Sequence, residues 1–86
     1  MRNIKFIPGA YNDYVDWLKT DKQLFVKITN LIRESAKTPA VGAGNPELLK
    51  HDYSGLWSRR INREHRLVYG VSDDTITIIS CKYHYK

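Results

Sequence analysis

"SRRINREHRLVYGVSDDTITIISCKYHY" (residues 58–85) decides the fold. Three segments within it, "SRRIN", "HRLVYGV" and "TITIISCKYHY", are rich in β-branched and aromatic residues. Only short polar breaks separate them, and Asp73-Asp74 marks a tight hairpin between the last two. The second half of the chain therefore reads as three consecutive antiparallel strands.

Upstream the pattern changes. "NIKFI" (residues 3–7) reads as a short first strand, ended by Pro8-Gly9. In "AYNDYVDWLKT", Tyr11, Tyr14, Val15 and Leu18 recur at helical spacing. Thr20 stands three residues before Gln23, a capping-box spacing that predicts a second helix from about Asp21 to about Ala36. Leu24, Phe25, Ile28, Leu31 and Ile32 form its apolar face. The two helices make an antiparallel hairpin. From Thr38 to Trp57 periodicity fails. Five prolines and glycines fall there: Pro39, Gly42, Gly44, Pro46 and Gly55. Long irregular connections are usually functional or disordered, and Leu48, Leu49, Leu56 and Trp57 argue against disorder. "PELLKHDY" reads as one or two helical turns with Pro46 at the first position. The expected fold is one α+β domain spanning residues 1–86. Its order is β-α-α-loop-β-β-β, with two helices on one face of an antiparallel sheet.

Size and composition narrow the function. The chain has 86 residues, 42% hydrophobic and 27% charged. That suits one modest core and no large enclosed pocket. No apolar run approaches the ~20 residues of a membrane span, and no apolar signal region opens the chain. A cytoplasmic location follows as the expectation. Cys81 is the single cysteine, set in "IISCKY", and reads as buried strand filler. Net charge is +5, and "RRINREHR" (residues 59–66) concentrates it in Arg59, Arg60, Arg63 and Arg66. Arginine binds phosphate through a planar fork of donors. A solvated hairpin fits the same residues.

Register matters because His84 lies near the end of the third of these strands. A two-residue turn at Asp73-Asp74 pairs Val71 with Ile76 and sets Arg66 across from Cys81, with His84 on the other face. A three-residue turn with a bulge sets Arg66 across from Ser80, on the face of Lys82 and His84. The sequence leaves both open.

No Ser/His/Asp arrangement, P-loop or GxGxxG is present. Three histidines and one cysteine show no metal-ligand spacing, so neither a metal nor another cofactor is expected. What remains is an acid, a histidine and several arginines. That set suits cleavage of RNA, which supplies its own nucleophile, the 2′-hydroxyl. Glu47 fits the base, His84 the acid that protonates the leaving 5′-oxygen, and Arg66 the cation facing the transition state. Each has a plainer reading. Glu47 also fits a first-turn acid after Pro46, Arg66 an exposed strand residue, and His84 a histidine at a frayed end. His65 reads as structural, and His51 as facing an anion or solvent.

"GNPELLKHDYSGLWSRRINREHRLVYGV" followed by "CKYHY" resembles the YoeB/Txe family of bacterial toxins, within the RelE/ParE superfamily. The resemblance covers essentially the whole chain, including "DYVDW" and Lys37-Thr38-Pro39. It implies a small RelE-like ribonuclease fold. It implies an endoribonuclease that enters the ribosomal A site, cleaves mRNA there and stops translation. It implies the 70S ribosome, mRNA and a YefM/Axe-like antitoxin as partners, and makes a homodimer plausible. By this resemblance Glu47 is the general base, Arg66 stabilises the transition state, His84 is the general acid and Tyr85 completes the catalytic set. Lys50, His51 and Arg60 match RNA-contacting positions. A non-catalytic RNA- or partner-binding module of the same fold is the alternative. Lys86 extends beyond the "YHY" at which many family members stop.

Overall fold

Alternation in the last strand sorts the sheet into two faces. In the computed structural model, which describes residues 1–83, β5 (Thr75–Ser80) turns Ile76 and Ile78 inward, both fully buried. The other strands are β1 (Asn3–Phe6), β2 (Glu47–Leu48), β3 (Leu56–Arg60) and β4 (Arg66–Val71). They form a five-stranded sheet in the order β1-β5-β4-β3-β2. The helices α1 (Pro8–Thr20) and α2 (Lys22–Lys37) pack on one face. Ile28, Leu31, Ile32 and Ala36 of α2 meet Leu67, Tyr69, Ile76 and Ile78 of the sheet in a continuous core. Neither helix is long and apolar enough to cross a membrane.

The expected α+β architecture holds, with three refinements. The sheet is mixed, not wholly antiparallel: β1 runs parallel to β5, with Ile4 beside Ile76 and Phe6 beside Ile78. A hairpin cannot join parallel neighbours, and here the chain between them carries both helices and the other strands. The cap of α2 lies one residue later than Thr20. Asp21 is extended and its carboxylate accepts the Leu24 N–H at 3.2 Å, whereas the Thr20 hydroxyl donates back to Asp16 inside α1. "PELLKHDY" is not helical from Pro46. Glu47-Leu48 adds an edge strand, Glu47 across from Ser58 and Leu48 across from Trp57, and a 3₁₀ turn follows at His51–Tyr53.

The helices are tied together by a directed chain of hydrogen bonds. Thr29 Oγ1 donates to the Phe25 carbonyl at 2.8 Å. The Tyr14 hydroxyl, 2.6 Å away, is therefore the donor to Thr29 Oγ1. The Tyr14 ring stacks on Phe25 at 4.7 Å between centroids.

The irregular segment after α2 is ordered by Arg59, a residue with no solvent exposure. Strand alternation turns it toward the helices, and all five of its N–H groups find acceptors. Nε donates to the Tyr69 hydroxyl, Nη1 to Glu34 and the Ala43 carbonyl, and Nη2 to the Thr38 and Val41 carbonyls, all at 2.6–3.0 Å. The Tyr69 hydroxyl donates on to the Pro39 carbonyl at 2.6 Å. The loop wraps so tightly that Gly42 and Gly44 have positive φ, and a Cβ on Gly42 would lie 2.8 Å from the Glu34 carboxylate. Arg59, grouped in the sequence with anion-binding candidates, is thus a structural residue.

Candidate active site

Pairing across β2, β3 and β4 assembles the face away from the helices. Glu47 lies across from Ser58, and Ser58 across from Val68. Arg60 lies across from Arg66. Because side chains alternate, Glu47, Ser58, Arg60, Arg66 and Val68 all belong to this helix-free face. Glu47 and Arg66 are two strands apart and one side-chain repeat along. Strand spacing and rise put their Cα atoms about 12 Å apart. Two long side chains can reach a phosphate between them from that separation.

A groove of about 370 Å³ adjoins this row, lined by Glu47, Leu48, Leu49, Lys50, His51 and their neighbours to Tyr53. It brings together three of the residues singled out in the sequence: Glu47, Lys50 and His51, all exposed. His51 has a φ of 58°, a left-handed conformation that starts the 3₁₀ turn. Asn45, two residues before Glu47, is also left-handed, with a φ of 50°. These two reversals explain why the segment around Glu47 gives no helical period. Arg60 is exposed at the end of β3, anchored by its N–H to the Gly44 carbonyl at 2.7 Å.

Arg66 is half-buried and oriented by the β3–β4 connection. Its Nη1 donates to the Asn62 carbonyl at 2.7 Å and to the His65 carbonyl at 3.0 Å. The Asn62 side chain closes this turn by accepting the N–H groups of Glu64 and His65. The Arg66 Nε and Nη2 groups have no acceptor among the described residues, and they are the kind of paired donors that a guanidinium offers to an anion. Asn62 was not among the site candidates. Its signal in the sequence is an asparagine three residues before His65, at a strand end.

The register of β4 and β5 takes a form that neither sequence alternative had. The turn at Asp73-Asp74 is two-residue, with Val71 across from Ile76. A bulge then falls inside β5: Tyr69 pairs with Ile78 but Val68 with Ser80, leaving Ile79 as the extra residue. Beyond Ser80 the strand ends, and the Arg66 N–H donates to the Tyr83 carbonyl at 3.1 Å. The chain is pinned there from α1 as well. Trp17 Nε1 donates to the Cys81 carbonyl at 3.1 Å. Burial, helped by Asp13 and opposed by Lys82, pushes the Cys81 thiol up to about 12. It is core filler, as its sequence setting indicates. His84 and Tyr85, the acid and the tyrosine of the expected catalytic set, lie outside the described residues, as does Lys86.

Comparison with known proteins identifies the scaffold that carries this face. A family model described as the YoeB-like toxin of bacterial type II toxin–antitoxin systems matches residues 6–85. Toxin YoeB of Escherichia coli K12 is 53% identical over 76 residues, covering 88% of this chain and 90% of that protein. A heterotetrameric YoeB–YefM toxin–antitoxin complex from Staphylococcus aureus superposes with a TM-score of 0.89 at 46% identity, covering 99% of each chain. A YoeB dimer from the same species gives 0.89 at 48% identity, covering 98% of each. The helix-free face with Glu47, Arg60 and Arg66 therefore stands on a scaffold whose relatives are toxins, and the chain belongs to the YoeB-like family of type II toxin–antitoxin toxins.

Proposed function

We propose that this toxin is an endoribonuclease that cleaves mRNA in the A site of the 70S ribosome. The observation that carries the reading is the shared face: Glu47, Arg60 and Arg66 project from three adjacent strands, and Lys50 and His51 flank Glu47 in one groove. Glu47 takes the proton of the ribose 2′-hydroxyl as its oxygen attacks the adjacent phosphorus. Arg66 faces the charge that builds on the phosphoryl oxygens. His84 gives its proton to the departing 5′-oxygen, and Tyr85 helps position the message. The products are a 2′,3′-cyclic phosphate and a 5′-hydroxyl end. The nucleophile belongs to the RNA, so the chemistry needs no metal or other cofactor.

Lys50, His51 and Arg60 hold phosphates of mRNA or ribosomal RNA. A YefM-like antitoxin neutralises the toxin, as the S. aureus complex supports, and two toxin chains associate, as the S. aureus dimer supports. Acting on ribosomes places the protein in the cytoplasm.

Primer extension on a message translated in a cell-free system tests the reading. Cleavage is expected within the A-site codon, only when ribosomes are present, and is lost in His84→Ala while antitoxin binding persists. Equal cleavage of free RNA would remove the ribosome from the mechanism. Protection of the message without cleavage would favour a non-catalytic binder.

A further inference from the structure

The end of the described chain is held in an uncommon way. Tyr83 has a φ of 61°. A bulky aromatic residue rarely adopts that left-handed conformation, and it persists only where its surroundings hold it. Two backbone hydrogen bonds do so. The Tyr83 carbonyl accepts from the Arg66 N–H at 3.1 Å. The Tyr83 N–H donates to Nδ1 of His65 at 2.7 Å.

We infer that His65 is a positioning residue: its neutral imidazole accepts the Tyr83 N–H and locks the left-handed residue bonded directly to His84. This deepens the proposed ribonuclease reading and rests on it. His65 is 5% exposed, and its ring is fixed on several sides. Trp17 of α1 meets it edge-on at 4.9 Å and the Tyr83 ring lies 5.4 Å away. Nε2 points toward the Glu64 carboxylate, 3.6 Å distant. A nitrogen that accepts a backbone N–H carries no proton of its own, so the proton of the neutral ring sits on Nε2. The neighbouring Arg66 donates its backbone N–H to the carbonyl of the same Tyr83 and offers its guanidinium to the site. One pair of adjacent residues, His65 and Arg66, thereby supplies the cation and fixes both backbone polar groups of Tyr83.

The test combines NMR of the full-length toxin with single-turnover cleavage on ribosomes. Ring nitrogen shifts should show the Nε2–H tautomer of His65, and the Tyr83 amide should exchange slowly. His65→Phe keeps a ring against Trp17 but removes the acceptor. It should speed Tyr83 amide exchange about tenfold, the loss of one buried hydrogen bond. It should slow cleavage roughly ten- to a hundredfold through misplacement of His84, with ribosome affinity within about twofold. His65→Asn restores an acceptor near the Nδ1 position and should recover part of both. An Nδ1–H tautomer, unchanged Tyr83 exchange in His65→Phe, or faster exchange with an unchanged cleavage rate would each overturn the inference. If His65→Phe does not fold, the wild-type tautomer and His65→Asn still decide. A wild-type chain that cuts no message sinks the ribonuclease reading and the positioning of its acid by His65 with it, whereas the NMR data judge the clamp separately.

Discussion

Arg59 of β3 and Tyr69 of β4 are diagonal neighbours on the helix side of the sheet and share one task. Arg59 Nε donates to the Tyr69 hydroxyl at 3.0 Å, and that hydroxyl passes its own proton to the Pro39 carbonyl at 2.6 Å. Both side chains are fully buried, so their own polar groups were taken out of water, while the Glu34 carboxylate that Arg59 meets stays partly exposed. A buried guanidinium is costly unless each donor is satisfied, and here the irregular loop supplies the acceptors.

Removing the Tyr69 hydroxyl leaves Arg59 Nε and the Pro39 carbonyl without partners. Tyr69→Phe should cost about 1–3 kcal/mol. Arg59→Ala should cost about 3 kcal/mol or more, because Glu34 and three loop carbonyls lose a charged donor together. Urea unfolding measures both. A loss under about 0.5 kcal/mol for Arg59→Ala would mean that the loop is ordered by other contacts.

Glu47 is exposed on an edge strand, so its stability role and its chemical role can be separated. Glu47→Ala should leave the unfolding midpoint nearly unchanged and slow cleavage by roughly a hundred- to ten-thousandfold. Single-turnover rates on programmed ribosomes give the comparison. A wild-type rate in the variant would take Glu47 out of the reaction.

Phosphate contacts release counterions, so ribosome affinity should fall steeply as salt rises. Lys50→Ala and Arg60→Ala should each flatten the log–log slope by about 0.7 for every single-stranded phosphate left unneutralised. Filter binding across a salt series reads the slope. No change in either variant would show that these cations do not touch RNA.

Cys81 links stability to alkaline pH. Its thiol ionises at about 12 in the folded chain, against 9.0 for the ordinary group. The folded state is thus disfavoured where only the unfolded chain can lose the proton. The stabilisation is complete below pH 9 and is lost as pH rises toward 12. Cys81→Ser should blunt that decline. Native protein should also resist thiol alkylation at pH 8 and react once urea is added. Rapid native labelling would show that the β5 end opens more readily than its burial implies.

Much of this molecule was legible in the chain, and its gaps have physical causes. The apolar face of α2 and a hairpin at Asp73-Asp74 stood in the sequence because local chemistry specifies them, while the length of that turn stayed open. The parallel placement of β1 did not, since it depends on where the helices return the chain. Glu47-Leu48 is too short a strand to show an alternation, and left-handed Asn45 and His51 break any period around it. Arg59 misled for a different reason. A string of arginines reads as surface, yet strand alternation sends one of them inward, where carbonyls from a distant loop complete its hydrogen bonds. The bulge at Ile79 has no sequence marker of its own, and it shifts the pairing so that Val68 meets Ser80.

The parallel pairing of the first strand with the last has a consequence for how the protein is made. β1 has no strand neighbour other than β5, so the sheet cannot close until Thr75–Ser80 has been synthesised. Arg66 likewise waits for Tyr83 to emerge. On the proposed function, a toxin acting on translating ribosomes is therefore still unfinished while it remains tethered to the one that makes it. Limited proteolysis of stalled nascent chains should find a protected core only in chains extended well past residue 80. Protection in shorter ones would show that β2, β3 and β4 close a stable fold without it.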